Sequence, residues 1–196
     1  MTLIDTIPKP HEIETFSGRF VDTKHPDPDS IILEDIAHAL SNICRYGGHC
    51  SRFYSVAEHS VFVSKRMERK GYGKAMCLAA LHHDDAEAYL GDVPRPLKPL
   101  LGARYRDLTE KMDRAIVRGL ELPFALDDFH SEAVKQADNW ALFVEAEHLL
   151  PSEGGDFLRV QDDGVPGRIV VPDYWRGGLS PVEAEGLFLS RHWELV

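Results

Sequence analysis

Two ionisable side chains lie on otherwise apolar helix faces, and this pattern constrains the fold more than any other feature of the chain. His59 and Asp138 each have apolar residues three and four positions away along the sequence, which places both side chains on the inward face of a predicted helix. An unpaired buried carboxylate costs several kcal/mol, so Asp138 needs a cation or a dense set of hydrogen bonds. The fold must therefore bring a cation or several hydrogen-bond donors to Asp138.

The stretch 81–98 concentrates the polar residues that can supply this chemistry. Alanine and leucine residues favour a helix at its start, and the glycine and prolines that follow end the helix and turn the chain. We predict that the polar residues occupy the last helical turn and the loop after it. There His83 and Glu87 are spaced i, i+4 and Asp84 and Glu87 are spaced i, i+3, so their side chains share one surface.

An adjacent His-Asp pair is common by chance and is a weak signal alone. The pair gains weight from the two inward-facing residues on other helices. Together they predict a site for one divalent metal ion with four ligands: His59, His83, Asp84 and Asp138. This mixed nitrogen and oxygen set does not identify the metal, and Mn, Co, Zn, Fe and Mg are all chemically allowed.

The order His, His-Asp and distant Asp on inward helix faces resembles the HD-domain metal-dependent phosphohydrolases. The likeness is closest to the small bacterial nucleotidases and their phage relatives that hydrolyse deoxynucleotides. The matching residues span roughly 40–150: Ser55–Ser60, Leu81–Asp84, Glu87, Gly91–Lys98 and Gln136–Asp138. The resemblance implies an all-α helical bundle and a homodimer or higher homo-oligomer. Asp85 departs from it, because the family usually has a small residue there, and we expect its charge to lie beside the site.

The resemblance also implies roles for residues around the metal. Glu87 is expected to orient or deprotonate the attacking water, and Asp92 to protonate the leaving oxygen. Arg45 and Tyr46 are expected to contact the substrate, because a guanidinium binds phosphate and an aromatic ring supports a base or sugar. Further candidates for holding phosphate are Arg95 and Lys98. For Arg45 and Tyr46 a structural alternative stays open, in which Arg45 binds a carboxylate and Tyr46 packs in the core.

The expected reaction is hydrolysis of a nucleotide phosphoester, in which (deoxy)nucleoside monophosphates give nucleoside and phosphate. The alternative enzyme reaction releases triphosphate from a deoxynucleoside triphosphate such as dATP. The choice between the two reactions depends on the shape of the pocket, which the sequence does not show. Two other classes are a non-catalytic nucleotide or metal sensor and a helical adaptor without metal. The presence of Glu87 beside the ligands argues against a sensor.

Size and charge limit the remaining choices. A chain of 196 residues predicts a single domain, 1–196, with a core at about 31–150 and a C-terminal extension at 151–196. The net charge of -10 argues against a nucleic-acid polymer as partner, although a local cation and arginines can still hold a small phosphorylated ligand. The odd number of cysteines and the lack of a signal peptide or long apolar run predict a cytoplasmic protein with reduced thiols and no membrane association.

Apolar periodicity predicts the remaining elements. The helices are 33–43, 105–119, the one that delivers Asp138, and a terminal helix that begins with a capping box at Ser180 and Glu183. Residues 16–22 and 168–171 predict short strands, so a small two-stranded β element can join the N- and C-terminal segments. Glu145, Glu147 and His148 are expected to be exposed at the distal end of the Asp138 helix.

Overall fold

A computed structural model describes residues 9–152 and 178–196 of the chain. The described part is mostly helical and carries a small antiparallel sheet near its start. In chain order the elements are β1 (Glu12–Glu14), β2 (Phe20–Asp22), α1 (Leu33–Asn42), α2 (Val56–Arg69), α3 (Lys74–Leu81), α4 (Glu87–Leu90), α5 (Lys98–Gly119), α6 (Leu126–Phe129), α7 (Glu132–Leu149) and α8 (Pro181–Leu195), with short 3-10 turns at Pro28–Ser30 and Arg45–Gly48. None of these helices has the length and apolar character that crossing a bilayer requires.

Helix α2 lies at the centre of the bundle. Every residue from Val56 to Ser64 is buried, and α1, α3, α7 and α8 pack around it. The helix starts at a capping box in which the Ser55 hydroxyl accepts the Glu58 N–H and the Glu58 carboxylate accepts the Ser55 N–H. These bonds satisfy backbone donors that a helix start leaves unpaired. Helix α2 therefore presents His59 to the interior, where its partners come from other helices.

The chain between α3 and α4 differs from the predicted helix. Helix α3 ends at Leu81, and residues 82–86 form a turn before α4 begins at Glu87. His83 and Asp84 therefore lie in a turn rather than on the last turn of a helix, and the prediction of a continuous helix was wrong here. The Glu87 N–H donates to the Asp84 carbonyl at 2.9 Å, which closes the turn. Neighbouring side chains in such a turn can point to different parts of the interior.

Helix α5 is longer than the predicted 105–119 and is interrupted near its start. It begins at Lys98, and Gly102 adopts φ 71° and ψ -152° within it. Glycine tolerates this backbone conformation without steric cost. The interruption lets Lys98 and Tyr105, on either side of the break, line one cavity.

The two ends of the described chain differ in how well the sequence predicted them. The predicted strand near residue 20 is confirmed as β2, but its partner is β1, with Ile13 opposite Val21; the predicted strand at 168–171 lies outside the described residues. The capping box at Ser180 is confirmed as the start of α8. Helix α8 packs against α1, α2 and α3, so it contributes to the bundle.

Candidate metal centre

Three separate elements bring the predicted ligands to one point. Helix α2 contributes His59, the turn after α3 contributes His83 and Asp84, and α7 contributes Asp138. His59 Nε2 lies 3.2 Å from Asp138 Oδ1 and 3.5 Å from Asp84 Oδ2, while His83 Nε2 lies 3.3 Å from Asp84 Oδ2 and 4.0 Å from Asp138 Oδ1. The ligand atoms of His59, His83 and Asp138 lie within 4.8 Å of one another, so this group can hold a metal ion.

Both imidazoles direct an unpaired nitrogen at this point. His59 Nδ1 lies 2.7 Å from a carboxylate oxygen of Glu145, and His83 Nδ1 lies 2.8 Å from the carbonyl oxygen of Ala80. Because these partners only accept, each Nδ1 carries the proton and a neutral ring keeps its lone pair on Nε2. Both Nε2 atoms are buried and make no hydrogen bond of suitable geometry within the described residues, although each lies within 3.5 Å of a carboxylate oxygen. A cation coordinated here would satisfy both nitrogens, so the donor set fits a divalent metal.

The charges around the ligands also suit a cation. Burial raises the pKa of Asp138, but the imidazoles of His59 and His83 and the Arg45 guanidinium lower it by more. The pKa of Asp138 therefore lies below its usual value. The pKa of Asp84 is likewise lowered by His83 and His59 against the effect of burial. Burial and Arg45 lower the pKa of His59, whereas Glu145 and Asp138 raise it to about 9 overall. A metal ion must therefore displace a proton from His59 as it binds.

Arg45 and Tyr46, which precede α2 and are expected to contact substrate, make contacts beside the predicted metal ligands. Arg45 is buried, with Nη1 3.6 Å from Asp84 Oδ2 and Nε 3.3 Å from Glu145 Oε2. The Tyr46 hydroxyl donates to Glu145 and to the Leu142 carbonyl, both at 3.3 Å. These contacts are those of the structural alternative, in which Arg45 pairs with carboxylates and Tyr46 packs on α7. Both residues also line a cavity beside Asp84, so a small molecule in this cavity could contact them.

The loop and helix after the turn add the remaining predicted residues. Glu87 is buried and accepts from Lys98 Nζ at 3.2 Å. Burial, Asp84 and Asp92 raise the pKa of Glu87 well above its usual value, and burial also raises the pKa of Asp92. Arg95 is exposed, and its Nη2 lies 2.8 Å from Asn139 Oδ1 and 3.5 Å from Asp138 Oδ2. The four predicted residues of this segment, Glu87, Asp92, Arg95 and Lys98, therefore all lie near the predicted metal ligands.

Two cavities open beside the ligands. The larger, of about 700 Å³, extends between α5, α6 and α7 and is lined in part by Tyr105, Phe129 and His130. The smaller, of about 140 Å³, lies on the Arg45 side, where Asp92 also faces it. Both are bordered by the same five residues: Asp84, Glu87, Arg95, Lys98 and Asp138. A bound molecule can therefore extend to either side of the cluster.

Comparison with known proteins identifies relatives of the whole chain. No protein-family model matches it. It is 38% identical over 182 residues to the uncharacterized protein YfdR of Escherichia coli (strain K12), covering 91% of this chain and 92% of that protein. The chain belongs to the YfdR family. It is also 34% identical over 184 residues to an uncharacterized protein of Rhodobacter capsulatus, RCAP_rcc00048, covering 92% of this chain and 93% of that protein.

In this YfdR-family chain, Glu145 is the residue of the site that the sequence analysis missed. It was expected to be exposed with Glu147 and His148, but it is fully buried, whereas those two are exposed as predicted. Besides His59, its carboxylate accepts from the Tyr54 hydroxyl at 3.0 Å. A carboxylate behind a ligating imidazole fixes the ring and makes it a better ligand. The signal was the spacing: Glu145 follows Asp138 by two helical turns and so shares its face.

Asp85 pairs with a histidine that is not one of the predicted metal ligands. Its carboxylate is fully buried and lies 2.6 Å from His82 Nδ1, and His82 Nε2 lies 2.9 Å from His192 Nδ1 on α8. Asp84 and Asp85 are consecutive, but in the turn their side chains point to different partners. Burial raises the pKa of Asp85, and His82 and His83 lower it by less, so the charge of Asp85 still interacts with one predicted ligand. The YfdR-family chain thus has a second buried polar cluster, made of Asp85, His82 and His192, which we call the His82 cluster.

Proposed function

We propose that this protein is an HD-domain phosphohydrolase that binds one divalent metal ion and hydrolyses nucleotides, with (deoxy)nucleoside monophosphates giving nucleoside and phosphate. The metal is held by His59, His83, Asp84 and Asp138. The observation that carries the proposal is the convergence of ligand atoms from His59, His83 and Asp138 within 4.8 Å of one another, with Asp84 Oδ2 beside both Nε2 atoms. Two imidazoles and two carboxylates at such distances are a donor set that a divalent metal ion can hold together.

A divalent cation bound there supplies an activated water and polarises a phosphoryl oxygen. The protein's own residues do the rest. Glu87 lies three residues after Asp84 in a buried position, and burial raises its pKa well above the usual value, which favours a carboxylate that can take up a proton from water. Lys98 holds the Glu87 carboxylate in place and brings positive charge to the cavity edge. Asp92, whose pKa is also raised, is the candidate donor of a proton to the leaving oxygen.

The preference for a monophosphate rests on the two cavities. The smaller one, of about 140 Å³, is well below the roughly 300 Å³ at which pockets begin to hold drug-sized ligands, so it suits one phosphate group. Arg45 borders it and offers a guanidinium fork. The larger cavity, of about 700 Å³, has room for a nucleoside and presents aromatic rings from Tyr105 and Phe129 that can contact a base.

The test is a turnover assay on purified protein that is stripped of metal and reloaded separately with Mn, Co, Zn, Fe or Mg. We expect metal-dependent release of phosphate from ribo- or deoxynucleoside monophosphates, loss of release in Asp84→Ala, and retention of release in the control Asp107→Asn, since Asp107 is exposed on α5. Release of triphosphate from dATP would replace the monophosphate reaction with the alternative one. Metal binding without turnover of any nucleotide would contradict an enzyme, and absence of metal binding would contradict the metal centre itself.

A further inference from the structure

Two cysteines flank the loop that carries Arg45. The Sγ atoms of Cys44 and Cys50 lie 3.4 Å apart, and both thiols are free and partly accessible. The third cysteine, Cys77, is buried on α3. Neither member of the pair belongs to the metal centre, and the residues between them include Arg45, which contacts the metal ligand Asp84.

The loop is anchored on both sides, which keeps the thiols close. Cys44 forms an antiparallel backbone bridge with Ser55, and the Ser51 N–H donates to the Leu149 carbonyl at 2.8 Å. Between them Tyr46, Gly47 and Gly48 adopt φ values of 57°, 60° and 80°, and this left-handed run turns the chain back on itself. A disulfide has an S–S length of about 2.05 Å, so the sulfurs need to approach by only about 1.4 Å.

We propose that Cys44 and Cys50 are a reversible oxidation site, at which exchange with a low-molecular-weight disulfide closes an intrachain bond around the Arg45 loop. The consequence follows from the position of Arg45. Its guanidinium lies beside Asp84 and Glu145, so a covalent bond across its loop restricts the motion of a group at the edge of the metal centre. The disulfide state therefore determines how freely Arg45 can move.

The exchange needs no oxidant beyond the small disulfide. One thiolate of the pair attacks a sulfur of oxidised glutathione, the S–S bond of glutathione breaks, and one glutathione thiol leaves. The second cysteine thiolate then attacks the protein sulfur of this mixed disulfide, forming the Cys44–Cys50 bond and releasing the second glutathione thiol. The protein loses two hydrogens and two electrons, and glutathione disulfide gains them.

The experiment treats the full chain with oxidised glutathione at mildly alkaline pH and follows intact mass, peptide linkage and amide hydrogen exchange. We expect loss of two of the three thiols, a mass lower by two hydrogens, a peptide linking Cys44 to Cys50, and slower exchange of the amides in the loop. A thiol reductant should restore the starting mass and exchange rate. Cys50→Ser should instead keep one glutathione on Cys44, because the second step is absent.

Two outcomes would overturn the inference. One is wild-type protein that accumulates mixed disulfides with glutathione, since the second thiol would then fail to reach the first. The other is a bond between chains or one involving Cys77. These readouts do not depend on metal or turnover, so the inference can fail while the proposed function stands, and the reverse also holds.

Discussion

His82 and His83 are adjacent in the chain and both rings are largely buried, yet their nitrogens meet different surroundings. Both nitrogens of His82 have partners, Asp85 at 2.6 Å and His192 at 2.9 Å. His83 has a hydrogen-bond partner only at Nδ1, and its Nε2 faces the carboxylates of the candidate metal centre without a hydrogen bond in the described residues. A buried histidine whose two nitrogens are satisfied stabilises the fold, whereas one that keeps a free nitrogen among carboxylates is suited to bind an ion.

The largest difference is expected when the imidazole of His83 or that of His82 is removed. His83→Ala should lower the metal content of the purified protein from one ion per chain to near zero and reduce phosphate release by more than about 100-fold, beyond the loss typical of an outer partner. His82→Ala is the matched variant and should keep its metal ion, because its ring is satisfied elsewhere. Elemental analysis and the phosphate assay measure both, and equal metal loss in the two variants would refute the distinction.

Glu145 tests whether the partner of a ligating histidine also affects metal binding, because its carboxylate contacts His59 Nδ1. Glu145→Gln keeps the size of the side chain but weakens the acceptor for His59 Nδ1, so we expect metal affinity to fall by about 10- to 100-fold. Glu147→Gln is the control, because that residue is exposed on the same helix. Calorimetric titration of the metal-free proteins measures the affinities. An unchanged affinity in Glu145→Gln would mean that this carboxylate serves packing alone.

Substitutions in the His82 cluster should lower the free energy of unfolding without affecting metal binding. His192→Leu leaves the buried Nε2 of His82 without its partner, which should lower the free energy of unfolding by about 1–3 kcal/mol. Urea denaturation near pH 8, with metal content measured in parallel, tests this. If metal were lost while stability stayed unchanged, the cluster would have to be reassigned to the metal centre.

The same cluster also predicts a pH dependence of stability. Burial, and then the neighbouring His82, lower the pKa of His192 from 6.5 to about 4. Between these values the unfolded chain binds a proton that the folded protein excludes, so stability falls as pH falls from about 6.5 toward 4. The stability advantage of the wild type over His192→Leu should therefore narrow across this window. Denaturation curves at several pH values measure it, and a constant difference would contradict the assignment.

Apolar periodicity was enough to predict much of the fold and the inward position of the ligands. The helix predicted at 33–43 is observed at Leu33–Asn42, and His59 and Asp138 meet as their helix faces required. Periodicity reports which face of a helix is buried but not what covers it. The contact between His59 and Glu145 joins residues 86 positions apart; the spacing from Asp138 places Glu145 on the inward face of α7, but it does not identify His59 as its partner.

Turns were predicted less well than helices, for a physical reason. In a helix the side-chain direction follows from position, whereas in the turn at 82–86 each residue has its own backbone angles and its side chain points independently. Asp84 and Asp85 illustrate this, because the first faces the metal centre and the second faces His82. The pairing of β2 with β1 was not predicted, since a short strand carries too little pattern to specify its neighbour; the predicted strand at 168–171 lies outside the described residues.

The link between His82 and His192 also has a consequence for the order of events during synthesis. The two residues are separated by 110 positions, and the ribosome makes the chain from its N-terminus. The turn that carries His83 and Asp84 emerges long before the helix that completes the support behind it. A nascent chain therefore carries all four candidate metal ligands before the residue that pairs with His82 Nε2 has been made.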